Sequence, residues 1–223
     1  MKSQKPVIVG IDEAGRGALA GPVVAGAVVL TKGIEQHPLI KDSKQMTEQE
    51  REEAYQWIIA HCVYGVGIAD ASMIDSSGIL SATEYAMQQA VSAVAEIITP
   101  TYLLIDGRDK FWFDFPHSAV VHGDETEPAI SAGSIVAKVT RDRLMCEYAA
   151  TFPFYGFAEH KGYGTPMHFQ ALAEHHPCPL HRSNFLRSHE HIINATTHIA
   201  IPDVPLQRKH QSVLLPAKHA RQA

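Results

Sequence analysis

Residues Val7 to Leu30, VIVGIDEAGRGALAGPVVAGAVVL, hold the pattern on which the fold turns. Val7–Ile11 is too short and too β-branched for a helix, and Pro22–Leu30 is a second run of the same kind. The stretch reads as two strands joined by a charged, glycine-rich corner. Strand side chains alternate faces, so Asp12 and Glu13 would point to opposite sides of a sheet. Both reach one ion only if the strand ends or bends there, which Ala14-Gly15 permits. Two carboxylates about 4 Å apart repel by roughly 4 kcal/mol at an effective dielectric of about 20, and a divalent cation between them reverses that cost. The pair by itself is either half of a metal site or a solvated acidic turn.

Composition narrows the setting. With 223 residues, 45% of them hydrophobic and 19% charged, the chain is expected to form one large domain or one domain with an appendage. Cys62, Cys146 and Cys178 are odd in number and lack CxxC spacing, which argues against a disulfide framework or a thiolate zinc site and for a reducing cytoplasm. No apolar run approaches the roughly 20 residues that span a bilayer, so neither export nor anchoring is expected. A net charge of −5 excludes coating of nucleic acid by bulk electrostatics. It leaves room for a nuclease, with Arg16, Lys44, Lys138, Arg141, Arg143, Lys161, Arg182 and Arg187 as a local positive face.

Along the chain, Thr31–Met46 reads as a surface loop, and Thr47-Glu-Gln-Glu50 is a capping box opening a helix to about Ala60. A third strand is expected over Cys62–Ala69 and turn chemistry at Asp75-Ser-Ser-Gly78. Helical spacing runs from Ile79 to Ile98 and stops at Pro100. Tyr102–Ile105 is a buried-type strand that delivers Asp106 at its end, and another short strand follows around Ala119–Val121. The aromatic patch Phe111–Phe115 reads as loop packing instead of a base-stacking platform. Pro128 at a first helical position opens a helix over Ala129–Ala149 whose small residues, Ser131-Ala-Gly-Ser134, suit close approach to a sheet. Its period sets Ile135, Lys138, Val139 and Asp142 on one side. A loop over Phe152–Lys161 and a short helix over His168–His175 complete the ordered part, and periodicity fades beyond about Ile193.

The chemistry that remains is acidic. Gly15-Arg-Gly17 with Gly21 has GxGxxxG spacing followed by a strand, so a dinucleotide fold fails on context. His175–His181 has one thiol and interrupting prolines, a poor zinc knuckle. Asp12 and Glu13 at one strand end, Asp106 at another and Asp142 on a helix are hard oxygen ligands suited to Mg²⁺ or Mn²⁺.

Taken together, GIDEAGRG over Gly10–Gly17, the Asp42-Ser43-Lys44 loop, Ile105-Asp106-Gly107, Ser131–Asp142 with its AKVTRD ending, KGYGT over Lys161–Thr165 and HRSNF over His181–Phe185 resemble the motifs of ribonuclease HII, the type 2 ribonuclease H of bacteria. The resemblance runs from about Val7 to about Phe185. It implies a ribonuclease H-like α/β fold, a central mixed sheet flanked by helices with a small helical C-terminal part, as a catalytic domain over 1–190; the fading periodicity beyond it reads as a flexible tail over 191–223. It implies Asp12, Glu13, Asp106 and Asp142 as the catalytic carboxylates, with Asp12, Glu13 and Asp106 holding metal most directly and Asp142 completing the site of a second Mn²⁺ or Mg²⁺ ion.

The implied reaction is hydrolysis on the 5′ side of a ribonucleotide, in RNA/DNA hybrids or singly embedded in duplex DNA, with a role in ribonucleotide removal during replication and repair. Gly15, Arg16, Gly17 and Lys44 would meet sugar and phosphate, and Tyr163 would stack on the sugar following the ribonucleotide. Gly133, Gln45-Met46 and His122 depart from the usual family residues without touching a proposed ligand. A monomer is expected. Gln211–Leu215 is loosely similar to peptides that dock on sliding clamps. The rivals are another metal-dependent nuclease of the same superfold and a metal-free nucleic-acid-binding module.

Overall fold

The structure, a computed structural model, describes residues 6–41 and 43–187. Asp42, the Lys44 side chain, the tail over 191–223 and its clamp-like peptide Gln211–Leu215 lie outside the described residues.

The two runs of the opening stretch form β1 (Ile8–Ala14) and β2 (Val23–Val29), an antiparallel pair. Helices α1 (Lys32–Gln36) and α2 (Glu48–His61) precede β3 (Tyr64–Ala69), which pairs antiparallel with β2. After α3 (Ala71–Ser77) and α4 (Ile79–Ala95), β4 (Tyr102–Asp106) and β5 (His117–Val120) extend the sheet in parallel beyond β1. The strand order is β3-β2-β1-β4-β5. Then come the one-turn α5 (Gly123–Thr126), the long α6 (Pro128–Thr151), and the short helices α7 (Phe157–His160), α8 (Pro166–His175) and α9 (Ser183–Leu186). Among the described residues no helix is long and apolar enough to cross a membrane.

Strand alternation sorts the core into two layers. Val9, Ile11, Val23, Ala25, Ala27 and Val29 lie against Ala86, Met87, Ala90 and Val94 of α4. On the opposite face Val28 and Tyr64 meet Ile135, Val136 and Val139 of α6, with Tyr55 and Ile58 of α2 behind them. Being covered on both faces, β2 is buried at every position, which is why it reads as an uninterrupted apolar run. Helix α6 comes close to the sheet because small residues face each other. A Cβ on Gly26 would collide with the Gly133 carbonyl, and one on Gly133 would stand 2.9 Å from the Gly26 oxygen.

The capping box of α2 forms as read: Thr47 Oγ1 accepts from the Glu50 amide and the Glu50 carboxylate accepts from the Thr47 amide. Three local expectations change. Strand β1 does not stop at Ile11 but continues through Asp12 and Glu13, because β2 pairs with it as far as Ala14. Asp75-Ser-Ser-Gly78 is the end of α3, capped by Asp70, whose carboxylate accepts from the Met73 amide. The expected loop over Phe152–Lys161 contains a 3-10 turn, Pro153–Tyr155, and α7. The C-terminal helices pack on the end of α6 through Met145, Tyr155 and Phe157. Backbone bonds tie them to the corner after β1: Leu19 N donates to Gly162 O (2.9 Å), Gly21 N to Leu180 O (2.8 Å) and Arg182 N to Leu19 O (2.9 Å).

Candidate active site

The parallel ladder pairs Gly10 with Leu104 and Ile11 with Ile105, so the next step sets Asp12 level with Asp106 on the α6 face. Asp12 is 6% exposed. Its Oδ1 accepts from the Glu13 amide at 2.7 Å, and the Ser134 hydroxyl of α6 donates to the same carboxylate. Ser134 is in turn 2.9 Å from Ser43 Oγ, which ties α6 to the turn after α1. Glu13 faces the other side of β1, as alternation requires, but the end of the strand leaves it within the field of Asp106 and Asp109. Burial pushes both carboxyls above their ordinary range; for Asp12 the Glu13 and Asp106 charges add to it, while Arg16 partly offsets the rise at Glu13. Arg16 donates to Glu13 at 3.0 Å and to Asp109 at 2.9 Å.

Asp106 closes β4, and its Oδ1 accepts from the amides of Gly123 (2.8 Å) and Asp124 (3.2 Å). His122, with φ of +55°, turns the chain so that these amides face the strand end. The same turn buries Asp124, 1% exposed, beside Asp106. Asp124 is not among the candidates that the sequence offers. The available signal was its place between a strand end and the small-residue start of α6, the same corner that presents Asp106.

Asp142 is placed elsewhere. It accepts from Lys138 at 2.9 Å and lines a cleft of about 320 Å³ between α2 and α6, with Glu48, Glu52 and Arg143. Ser134 is the α6 residue that touches Asp12, and eight residues of helix carry Asp142 about 12 Å farther along the axis. The structure thus brings Asp12, Glu13 and Asp106 together, adds Asp124, and leaves Asp142 outside. Among the described residues no three acidic, histidine or cysteine side chains converge into a ready-made metal cage. The donor chemistry still fits a hard divalent cation, since burial and neighbouring carboxylates, Asp106 among them, set Asp12 and Glu13 above their usual proton affinity and positive charge at the strand ends relieves that cost.

Gly15, Arg16 and Gly17 leave β1 in a turn that depends on two buried arginines. Gly15 has φ of +94°, and a Cβ there would run into the Arg141 guanidinium. Arg182 donates to the carbonyls of Gly15 (2.8 Å), Arg16 (2.9 Å) and Gly21 (2.8 Å); Arg141 donates to those of Pro22, Ala20 and Lys161. Both are fully buried, so they are struts of the corner and not members of a surface positive face. Burial and the Arg141 charge bring Arg182 down to about 9. Tyr163 is 37% exposed, with the Arg141 guanidinium 5.2 Å and the Lys138 ammonium 6.0 Å from its ring centre. Trp112 is exposed while Phe111 and Phe113 fill the core, which matches loop packing for that patch.

Residues 9–189 match the family model for Ribonuclease HII. Ribonuclease HII of Geotalea daltonii is 49% identical over 188 residues, covering 84% of this chain and 86% of that protein. Ribonuclease H2 of Pyrococcus horikoshii superposes with a TM-score of 0.69 at 27% identity, covering 85% of this chain and 98% of that one. The ribonuclease HII seen in complex with PCNA from Archaeoglobus fulgidus gives 0.65 at 26% identity, covering 79% and 94%.

Proposed function

The chain belongs to the ribonuclease HII family, and is thereby a ribonuclease H endonuclease, and on that premise we propose that it hydrolyses the phosphodiester on the 5′ side of a ribonucleotide, in RNA/DNA hybrids and at single ribonucleotides embedded in duplex DNA. The observation that carries this reading is the placement of Asp12 and Asp106 one step past the Ile11–Ile105 pair of adjacent strands, within each other's field, with Glu13 and the buried Asp124 beside them.

In this reading Asp12, Glu13, Asp106 and Asp124 hold two divalent cations, Mg²⁺ or Mn²⁺. Asp124 takes the place that the sequence resemblance gave to Asp142, because it borders Asp106 and Asp142 does not. The cations supply the charge stabilisation and water activation that phosphodiester hydrolysis needs, so no side-chain nucleophile is required. Ser134 and the Glu13 amide orient the Asp12 carboxylate, and the Gly123 and Asp124 amides orient that of Asp106. The carbonyls of Gly15 and Arg16 are committed to Arg182, which leaves the amides of Gly15-Arg16-Gly17 to meet the ribose, where the 2′-hydroxyl marks a ribonucleotide. Arg16 and Lys44 meet phosphate, and Tyr163 stacks on the following sugar.

The deciding experiment is cleavage of a duplex carrying one embedded ribonucleotide, with Mg²⁺ or Mn²⁺. A nick on its 5′ side leaving a 3′-hydroxyl is expected. No nick sinks the reading, and a preference for long hybrids would favour a hybrid-specific nuclease of the same superfold. The complex of a relative with PCNA supports assigning Gln211–Leu215 to a sliding clamp. Deleting Lys209–Ala223 should then abolish clamp binding by a chain that otherwise acts as a cytoplasmic monomer.

A further inference from the structure

Behind Tyr163 lies a cluster of three histidines that the reaction itself does not use. His168 is fully buried and His181 nearly so. The rings of His160 and His168 stack with centres 4.4 Å apart, and His168 Nε2 is 3.0 Å from His181 Nε2.

The partners assign each proton. His168 Nδ1 lies 3.0 Å from the Tyr163 carbonyl, which can only accept, so that nitrogen carries hydrogen. In a neutral ring His168 Nε2 is then an acceptor, and His181 Nε2 must donate to it. His181 Nδ1 is left with its lone pair, and the Cys178 amide donates to it at 2.9 Å. His160 Nε2 donates to the Tyr155 carbonyl at 2.6 Å, while its Nδ1 accepts from the Gly162 amide at 3.2 Å. His160 and His168 thus each have one tautomer, while the His181 Nδ1 that takes the Cys178 amide also stands 3.2 Å from the Cys178 carbonyl. Burial favours the neutral rings, pushing His168 down to about 4 and His181 to about 3.

The network ends on the recognition elements. Tyr163 N donates to the His160 carbonyl at 2.9 Å and Tyr163 O receives the His168 hydrogen bond, so both ends of this residue are held by histidines. At the far end His181 bridges to Ala20, and its neighbour Arg182 holds the Gly15 and Arg16 carbonyls. We propose that His168, seconded by His160, is a positioning residue for Tyr163, and that the selectivity of the enzyme for a ribonucleotide junction depends on its hydrogen bond to the Tyr163 carbonyl. The inference rests on the reading of Tyr163 as the junction contact.

Asparagine and glutamine at 168 separate positioning from mere packing. An asparagine amide nitrogen takes the place of Nδ1 and keeps the Tyr163 bond; a glutamine amide reaches the Nε2 place, keeps an acceptor for His181 and drops Tyr163. The measurement is the ratio of cleavage rates on a single-ribonucleotide duplex and on a continuous RNA/DNA hybrid, with melting temperatures alongside. Tyr163→Ala is expected to lower the ratio, His168→Gln to lower it several-fold, and His168→Asn to keep it within about two-fold of the parent. His168→Gln should add nothing in a Tyr163→Ala background. If His168→Gln does not fold, His160→Gln, which drops the Gly162 amide at the more exposed end of the network, should shift the ratio in the same direction. Equal loss with asparagine and glutamine, or rates that fall in proportion on both substrates, would overturn the proposal while Tyr163 keeps its role. An unchanged ratio in Tyr163→Ala would overturn the reading of Tyr163 and this inference with it.

Discussion

The feature that makes the Asp12 charge costly to the fold is the one that suits it to a cation. Its burial beside Glu13 and Asp106 raises the cost of its charge, and that cost is what a cation relieves. Asp12→Asn keeps an oxygen for the Glu13 amide and the Ser134 hydroxyl while removing the charge. The metal-free variant is expected to be more stable than the parent at pH 7, because the buried charge is gone. Nicking should fall by roughly 10²–10³-fold or more, as when a group stabilising transition-state charge is lost. Denaturant unfolding and a single-ribonucleotide assay on one preparation check both halves. Asp124→Asn and Asp142→Asn form a second comparison. The first should lose activity on the scale of Asp12→Asn, whereas the second, which breaks only the Lys138 pair and its lining of a separate cleft, should stay within a few-fold of the parent. The reverse ranking would return the fourth carboxylate to α6.

Among the elements, α6 decides the geometry of the site. It carries Ser134 to Asp12 and Arg141 to the glycine corner, and both placements depend on how closely its first turns lie on β1 and β2. Gly26→Ala puts a methyl group against the Gly133 carbonyl and forces the helix outward. A loss of about 1–3 kcal/mol in denaturant unfolding is expected from overpacking, with a drop in turnover larger than the change in folded fraction, since Ser134 moves with the helix. The small-residue run marks this contact in the sequence, because only residues without bulk let a helix backbone approach a sheet. The short helices have weaker local signals. Asp75 reads as a turn residue, yet its carboxylate accepts from the Ser183 and Asn184 amides and so caps α9, 108 and 109 residues away.

For the whole molecule, the buried histidines set the response to acid. In the unfolded chain His168 and His181 titrate near 6.5, and in the native state near 4 and 3. Between those limits the unfolded chain binds more protons, so this contribution to stability is complete above about pH 6.5 and is lost as pH falls, by about 1.4 kcal/mol per pH unit for each proton taken up. Asp12 and Glu13 act with the opposite sign, because their raised native pKa values let the folded state take protons first. Unfolding free energy is expected to be lower at pH 5 than at pH 7, and the drop should be steeper in Asp12→Asn, where the opposing carboxylate is gone. A flat profile in both proteins would mean that the buried histidines take up protons in the fold as readily as in the unfolded chain.

Sequence alone determined the succession of strands and long helices along the chain and the closeness of α6, since alternation, helical period, capping and side-chain bulk act over a few neighbouring residues. It also determined Asp12, Glu13 and Asp106 as candidates, because strand ends followed by glycine are local features. Tertiary structure decided the rest. Whether Asp124 or Asp142 joins them depends on the turn at His122 and the length of α6. Arg141 and Arg182 read as surface charge until packing places each guanidinium among carbonyls drawn from separate segments. The histidine network is of the same kind: hydrogen bonds between residues brought together by folding have no periodicity for a sequence to display.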